Sequence, residues 1–201
     1  MDIIAIGAES IIYRDKNTLL KRRIQKNYRI KEIDNKIRKV RTKSEAKLLQ
    51  KLDFSPKVIS VDEKNMEIKM EFIDGNLIRD TLDKLSKEER KKLCIQIGEK
   101  ISEMHNKDII HGDLTTSNII QKNNEVFFID FGLGFISKRL EDKATDLRLL
   151  RQALESKHYR HFKENYQNIL KGYQKDSNSK EVLDWLESKV EKRGRYKRKK
   201  K

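Results

Sequence analysis

The sequence is poor in several residue types, and each shortage excludes a class of protein. Its 201 residues contain one cysteine, Cys94, so neither an intramolecular disulfide nor a cysteine-based zinc site can form. One proline and eight glycines argue against low complexity outside residues 192–201. There is no run of about 18 apolar residues, which excludes a membrane span. The first residues lack a basic segment ahead of their apolar stretch, so we expect no signal peptide and a cytoplasmic location.

Acidic residues are also few relative to basic ones, and the excess positive charge lies in two segments. Lys and Arg number 47 against 32 Asp and Glu, a formal net charge of +15. Residues 14–51 hold 15 basic and 4 acidic residues, and residues 192–201 hold 8 basic residues and no acidic one. Two localised basic blocks favour a polyanionic partner, either nucleic acid or an acidic protein. The alternative for residues 14–51 is a solvated helix face.

Hydrophobic periodicity predicts a strand-rich first part of the chain. Short apolar or alternating runs predict strands at 2–6, 10–13, 17–24, 57–61 and 67–72. Between them, one long basic helix is predicted at 31–52. Its apolar stripe consists of Ile33, Ile37, Val40, Ala46, Leu48, Leu49 and Leu52.

From residue 77 the pattern becomes helical. Ser86 and Glu89 form an S-x-x-E capping box. The helix that it opens carries on one face Leu93, Ile97, Ile101, Met104 and His105. A hairpin at 118–121 and 126–129 precedes helices predicted at 141–155, 158–172 and 178–192. We therefore expect an α+β protein with domains 1–73 and 74–191 and a flexible basic tail, 192–201.

The strongest chemical signal is the segment His111-Gly-Asp-Leu-Thr-Thr-Ser-Asn118, which is followed by Asp130-Phe-Gly132. Asp113 and Asn118 share a loop, Asp130 ends a predicted strand, and the hairpin between them brings loop and strand end together. Asp and Asn side chains supply hard oxygen ligands, few in number, as Mg²⁺ bound to phosphates requires. One carboxylate remains to orient a nucleophile. The sequence therefore predicts a site for magnesium and phosphate.

The H-x-D-x-x-x-x-N loop and the D-F-G segment resemble the catalytic and metal-binding signatures of protein kinases. The resemblance implies ATP and Mg²⁺ as cofactors, with Asp113 as the catalytic residue at the attacking oxygen. It implies Asn118 and Asp130 as the Mg²⁺ ligands. The implied fold is two-lobed and protein-kinase-like, with a small β-rich N-lobe that carries one long helix and a reduced helical C-lobe.

The same resemblance assigns a cation and its partner in the first domain. Lys21 follows two apolar residues, as does the kinase lysine that contacts the nucleotide phosphates. Arg22 and Arg23 compete with it by charge alone. Glu45 is the one acidic residue between 35 and 52, and it matches the helix glutamate that pairs with this lysine.

Two further segments are assigned by their position in the chain. Met70-Glu71-Phe72-Ile73 matches the hinge, with Met70 as gatekeeper and with the Glu71 C=O and the Ile73 N–H on adenine. The segment that matches the phosphate-binding loop has one glycine instead of three, so it could also be an ordinary hairpin turn. Its residues are Gly7, Ala8, Glu9 and Ser10. A glutamate near a triphosphate needs a metal or a basic residue beside it.

Departures from the usual kinase pattern narrow the family. Gly112 replaces the Arg that would bind a phosphorylated activation loop, and the short span from Gly132 to Asp146 contains no A-P-E. With the segments IGAES, IRKVRTKSEA, MEFIDG and RGRYKRKKK, the chain resembles the small atypical kinase of the KEOPS complex. That resemblance implies Ser/Thr autophosphorylation, ATPase activity and a role in threonylcarbamoyladenosine formation in tRNA. Implied partners are the threonylcarbamoyl-transferase subunit, a small regulatory subunit, and tRNA through the basic helix and residues 192–201.

Two other functions remain open at this stage. A small-molecule phosphotransferase of the aminoglycoside-kinase type shares the H-G-D-x-x-x-x-N loop. A non-catalytic scaffold that binds tRNA and proteins would account for the basic blocks.

Four remaining residues receive structural assignments. Asp146 resembles the buried aspartate that supports the catalytic loop. Cys94 is predicted to be an inert apolar residue. His158 and His161 are predicted to lie at the surface or at helix ends.

Overall fold

A computed structural model describes residues 1–176 and 179–190. The strands are β1 (Asp2–Ile6), β2 (Ser10–Asp15), β3 (Thr18–Arg23), β4 (Val58–Asp62), β5 (Glu67–Glu71), β6 (Asn76–Leu77), β7 (Ile109–Ile110), β8 (Ile119–Lys122), β9 (Glu125–Phe128) and β10 (Phe135–Ile136). The α-helices are α1 (Lys31–Leu49), α2 (Ile78–Thr81), α3 (Lys87–Asn106), α4 (Leu140–Lys157), α5 (Phe162–Tyr173) and α6 (Ser179–Trp185). The predicted tail, 192–201, lies outside the described residues.

The chain divides into two compact units. The first comprises Met1–Thr81, His111–Asp113 and Ser117–Phe135. The second comprises Leu82–Ile110, Leu114–Thr116 and the described residues from Ile136 onward. Across both, within the described ranges, every helix is too short or too polar to cross a membrane.

A five-stranded antiparallel sheet forms the first part of the first unit, in the order β1-β2-β3-β5-β4. Strand β3 is central, paired with β2 on one side and β5 on the other. Ile68 and Met70 of β5 are buried, as are Ala46, Leu48 and Leu49 of α1. Because β3 is hydrogen-bonded on both edges, its alternate side chains point to opposite faces of the sheet.

The apolar stripe predicted along α1 is buried only in its second half. Ile33 and Val40 are exposed, at 51% and 59%, whereas Leu48 and Leu49 are buried. The helix also ends at Leu49, three residues before the predicted end. Periodicity identified the helix correctly, but it could not tell which of its apolar residues are buried.

The second unit is helical, and its first long helix begins as predicted. The Ser86 hydroxyl accepts from the Glu89 N–H at 3.3 Å, and the Glu89 carboxylate accepts from the Ser86 N–H at 2.9 Å. This reciprocal capping box satisfies two backbone donors at the start of α3. The five residues predicted on the core face of α3 are buried, which confirms that part of the pattern.

Helices α3 and α5 approach each other closely at two glycines. A Cβ atom on Gly98 of α3 would lie 1.9 Å from the Ile169 carbonyl oxygen of α5. A Cβ on Gly172 of α5 would lie 2.0 Å from the Ile95 carbonyl oxygen of α3. Each glycine thus gives the facing backbone room that no other residue type can give.

Gly98→Ala is therefore expected to lower the free energy of unfolding by about 3 kcal/mol. The clash is with backbone, which cannot move aside as a side chain can, and it outweighs the helix-propensity gain of about 1 kcal/mol. Urea unfolding followed by circular dichroism measures the change. The matched control is Gly7→Ala, because a Cβ there would meet its nearest neighbour at an ordinary 3.5 Å. Equal stability of the two variants would contradict the close approach.

Of the two placements predicted for His158, surface or helix end, the structure shows the second. His158 does lie at a helix end, after α4, but it is 1% exposed. Its Nδ1 lies 2.8 Å from a carboxylate oxygen of Asp83, and its Nε2 lies 3.3 Å from the Thr116 hydroxyl. Both partners are distant in sequence, so no local pattern could reveal them. His161 lies at a helix end, before α5, as predicted.

Cys94 is fully buried in α3. Burial raises the pKa of its thiol to about 12. The thiol therefore stays protonated at neutral pH and behaves as a small apolar group, as predicted.

Candidate active site

Alternation along β3 aims two of its three basic residues into the protein. Lys21 and Arg23 are 5% and 4% exposed, whereas Arg22 points to the other face and pairs with Glu67 at 2.5 Å. The Lys21 ammonium lies 2.6 Å from Glu45 Oε1. The lysine and glutamate selected from the sequence are therefore a direct ion pair that joins β3 to α1.

Asp130 joins this pair from the end of the second hairpin strand. Its Oδ1 accepts from the Lys21 ammonium at 2.8 Å and from the Gly132 N–H at 3.2 Å. Its backbone is left-handed, with φ at +61°, a region in which Asp and Asn are enriched among non-glycine residues. A Cβ on Gly132 would lie 2.9 Å from that same Oδ1, so glycine leaves space for the carboxylate.

The charges of this group reinforce each other. Burial opposes the charge on Lys21, but Glu45 and then Asp130 outweigh it and raise the pKa of the ammonium above its ordinary value. Partial burial likewise opposes ionisation of Asp130, but the Lys21 charge outweighs it and lowers the pKa of the carboxyl. Both groups are therefore charged at neutral pH.

The loop after β7 places Asp113 beside Asn118. The Asn118 amide nitrogen donates to Asp113 Oδ2 at 3.0 Å and to the Asp113 carbonyl at 2.8 Å. Gly112, just before it, has φ at +77°, and a Cβ there would lie 2.4 Å from the Leu133 carbonyl oxygen. Glycine replaces the usual kinase arginine at a position where backbone geometry favours it.

His111 ties this loop to the D-F-G segment. Its Nε2 lies 3.1 Å from the Ile129 carbonyl oxygen. Its ring lies against that of buried Phe131, with centroids 4.6 Å apart. The buried imidazole of His111 therefore connects the segments that carry Asp113 and Asp130. The sequence analysis assigned no role to His111 beyond its place as the first residue of the motif.

Arg23 is the site residue that the sequence argument left aside. Its guanidinium pairs with Glu45 Oε2, the oxygen that Lys21 does not contact. A Cβ on Gly132 would lie 3.2 Å from its Nη2. Lys21, Arg23, Glu45 and Asp130 form what we call the ion-pair cluster. Alternation in β3 could have shown that residues 21 and 23 share a face.

The loop Gly7–Ser10 is held by basic side chains. The Gly7 N–H donates to the Ser10 carbonyl at 2.9 Å, which closes the turn, and the Lys26 ammonium donates to the Ala8 carbonyl. Glu9 pairs with Arg29 at 3.2 Å and with Arg41 at 3.3 Å. The unusual glutamate thus has basic neighbours.

Much of the basic block is internally paired. Buried Asp34 pairs with Arg38 at 2.7 Å and with Arg29 at 3.5 Å. Lys43 pairs with Glu63 at 3.1 Å on the surface. Acidic residues of the protein itself therefore neutralise several of the basic residues that were predicted to bind a polyanion.

The segment that matches the hinge, residues 70–73, begins in the last two residues of β5 and continues beyond the strand. Met70 and Ile73 are buried, and Glu71 is half-buried. The Glu71 N–H donates to the Lys57 carbonyl at 2.9 Å.

The donors present fit magnesium better than a transition metal. Among the described residues, no three His, Cys, Asp or Glu side chains cluster tightly enough to hold a metal by themselves. Asp130 and the Asn118 amide provide two oxygen donors, and Mg²⁺ typically takes one or two carboxylates and fills its shell with phosphates and water.

The sequence is similar to the protein kinase family and to known proteins of tRNA modification. The family model described as protein kinase domain matches residues 6–171. The KEOPS complex subunit Bud32 of Pyrococcus abyssi is 41% identical across 98% of this chain and 96% of its own length. A bifunctional tRNA threonylcarbamoyladenosine biosynthesis protein of Methanobrevibacter smithii is 42% identical across 97% of this chain, which spans 37% of that protein.

Solved structures share the fold. The Rio2 kinase of Chaetomium thermophilum, in a complex with ADP, Mg²⁺ and phosphoaspartate, gives a TM-score of 0.61 at 14% identity over 90% of this chain and 68% of that one. The ADP-bound aminoglycoside phosphotransferase APH(2'')-Ib gives a TM-score of 0.64 at 17% identity over 99% and 87%. These likenesses confirm the protein-kinase-like fold.

Proposed function

The chain belongs to the protein kinase family, in the group of Bud32 subunits, and from this we propose that it transfers the γ-phosphoryl group of Mg·ATP to Ser/Thr hydroxyls and to water. The observation that carries the proposal is the contact of Lys21 with both Glu45 and Asp130, at 2.6 and 2.8 Å. The three come from β3, α1 and the D-F-G segment, and a lysine paired in this way is poised for phosphate.

Each residue of the site has a role in this proposal. Asp113 orients the attacking hydroxyl or water and accepts its proton, although an ordinary aspartate is a weak base. Asn118 and Asp130 hold Mg²⁺, which when bound neutralises charge on the phosphates. Lys21 contacts the phosphates, and Glu45 positions it. Catalysis then depends mainly on orientation and charge.

The nucleotide itself is assigned to two segments of the first unit. Adenine bonds to the Glu71 C=O and the Ile73 N–H, with Met70 as gatekeeper. The phosphates lie under the loop formed by Gly7, Ala8, Glu9 and Ser10, whose turn is closed by its own hydrogen bond.

The short segment after the D-F-G motif bears on which group accepts the phosphoryl group. The short span after Gly132, without A-P-E, leaves little sequence for a peptide-docking platform. We therefore assign autophosphorylation and ATP hydrolysis, rather than phosphorylation of many peptides, as the chemical outputs.

The relatives support a role for this activity in tRNA modification. One is described as a KEOPS subunit and another as a protein of threonylcarbamoyladenosine biosynthesis. By this relationship we assign the chain to a cytoplasmic KEOPS complex with the threonylcarbamoyl-transferase subunit and a small regulatory subunit. The tRNA contacts are assigned to the exposed lysines of α1 and to residues 192–201.

The two alternatives are weaker. Aminoglycoside phosphotransferase shares the fold at 17% identity, whereas the Bud32 subunit shares 41% identity over nearly the whole chain. A non-catalytic scaffold would not require the ion pairs of Lys21 with Glu45 and Asp130.

Asp113→Asn is expected to lower ATP hydrolysis and self-labelling by about 10²-fold or more, because the amide cannot accept the proton. The measurement uses radiolabelled ATP, with and without the transferase subunit and tRNA. The control is the exposed Asp53→Asn, which keeps wild-type activity. A scaffold would show neither activity in the wild type, and a small-molecule kinase would need an added aminoglycoside.

A further inference from the structure

Arg23 occupies a position that the proposed chemistry has not yet used. It is 4% exposed, it shares a face of β3 with Lys21, and its guanidinium pairs with Glu45 Oε2. Lys21 pairs with the other oxygen, Oε1, at 2.6 Å. The buried carboxylate therefore has a separate cation on each oxygen. Lys21 is the one that also reaches Asp130.

The charges of the ion-pair cluster depend on Arg23. Lys21 and Arg23 contribute two positive charges, and Glu45 and Asp130 contribute two negative ones, so the cluster is neutral. Without Arg23 the sum would be −1. A negative site repels the phosphates of a nucleotide, and at such short range inside a protein the repulsion is weakly screened.

We propose that Arg23 is a positioning residue for the nucleotide phosphates: it compensates the Glu45 charge so that the Lys21 ammonium is free to bind phosphate. This inference rests on the proposed function and adds a determinant of phosphate affinity. With Asp130 holding Mg²⁺ and Lys21 on the phosphates, Arg23 would still compensate the buried Glu45 carboxylate.

The test compares ligands that differ only in phosphate content. Adenosine, ADP and ATP, the last two with Mg²⁺, are titrated calorimetrically against wild type and Arg23→Gln. We expect Arg23→Gln to weaken ATP binding roughly 10- to 100-fold, to weaken ADP binding less, and to change adenosine binding by less than about twofold. A merely structural role of Arg23 would weaken all three ligands alike.

Two further variants serve as controls. Arg23→Lys keeps the charge and is expected to retain most of the ATP affinity. Arg22→Gln removes the same charge from the neighbouring residue, which is half exposed and faces the other side of β3, so all three affinities stay near wild type. ATP affinity of Arg23→Gln equal to that of wild type would overturn the inference, as would equal losses for adenosine and ATP.

Thermal unfolding shows whether Arg23→Gln folds. If it does not, Arg23→Met replaces it, because methionine keeps a long apolar side chain and removes the charge while Glu45 stays in place. The inference then expects Arg23→Met to weaken ATP binding more than adenosine binding, and equal effects on the two ligands overturn it. Failure of the wild type to bind any of the nucleotides contradicts the proposed function instead.

Discussion

Asp130→Asn is expected to lower Mg²⁺-dependent ATP hydrolysis and self-labelling by about 10²- to 10³-fold. The change removes a metal-binding carboxylate and the negative partner that lies 2.8 Å from the Lys21 ammonium. Asparagine suits the left-handed backbone at this position, where φ is +61°, so the fold should survive. Initial rates of phosphate release at saturating Mg²⁺ give the effect.

The matched control is Asp108→Asn. Asp108 also has a left-handed backbone, with φ at +56°, but it pairs with Lys143 in the second unit. The activity of Asp108→Asn should stay near wild type. A loss seen only in Asp130→Asn then cannot result from placing asparagine on a left-handed backbone. Full activity of Asp130→Asn would contradict the assignment of Asp130 as a metal ligand.

Glu45→Ala is expected to lower the free energy of unfolding by about 3 to 5 kcal/mol. Glu45 is 1% exposed and compensates two cations, Lys21 and Arg23, which are themselves buried. Without it, both positive charges lie in the interior against Asp130 alone. Urea unfolding of the two proteins, monitored by circular dichroism, measures the loss.

Glu63→Ala provides the comparison for that result. Glu63 also pairs with two cations, Lys39 and Lys43, but all three side chains are exposed by more than a third. Its removal should cost much less, because solvent screens an exposed ion pair. If the two substitutions cost the same, burial of the ion-pair cluster does not have the energetic weight that we assign to it.

The sequence predicted the parts of the site that lie on regular elements. Lys21 and Glu45 were selected from a strand and a helix, and the structure joins them at 2.6 Å. The capping box of α3 is formed as predicted, because its partners are three residues apart. Local spacing was sufficient for the capping box, whereas Lys21 and Glu45, 24 residues apart, were matched through the resemblance to protein kinases.

Other features depend on residues far apart in the chain. Gly98 is needed by a carbonyl of α5, and buried His158 by Asp83, 75 residues away. The exposed Ile33 and Val40 carry the same apolar signal as the buried end of α1. Arg23 was set aside because Lys21 is the basic residue that follows the two apolar ones, and the structure shows that both pair with Glu45. Tertiary placement settled each of these.

Crystals grown with ADP and Mn²⁺ test the central claim most directly. The anomalous signal of manganese locates the ion independently of any model of the site. We expect one peak within about 2.5 Å of both the Asp130 carboxylate and the Asn118 amide oxygen, bound to the ADP phosphates, with the Lys21 ammonium on a phosphate oxygen. A peak elsewhere, or ADP bound away from Lys21, would contradict the account.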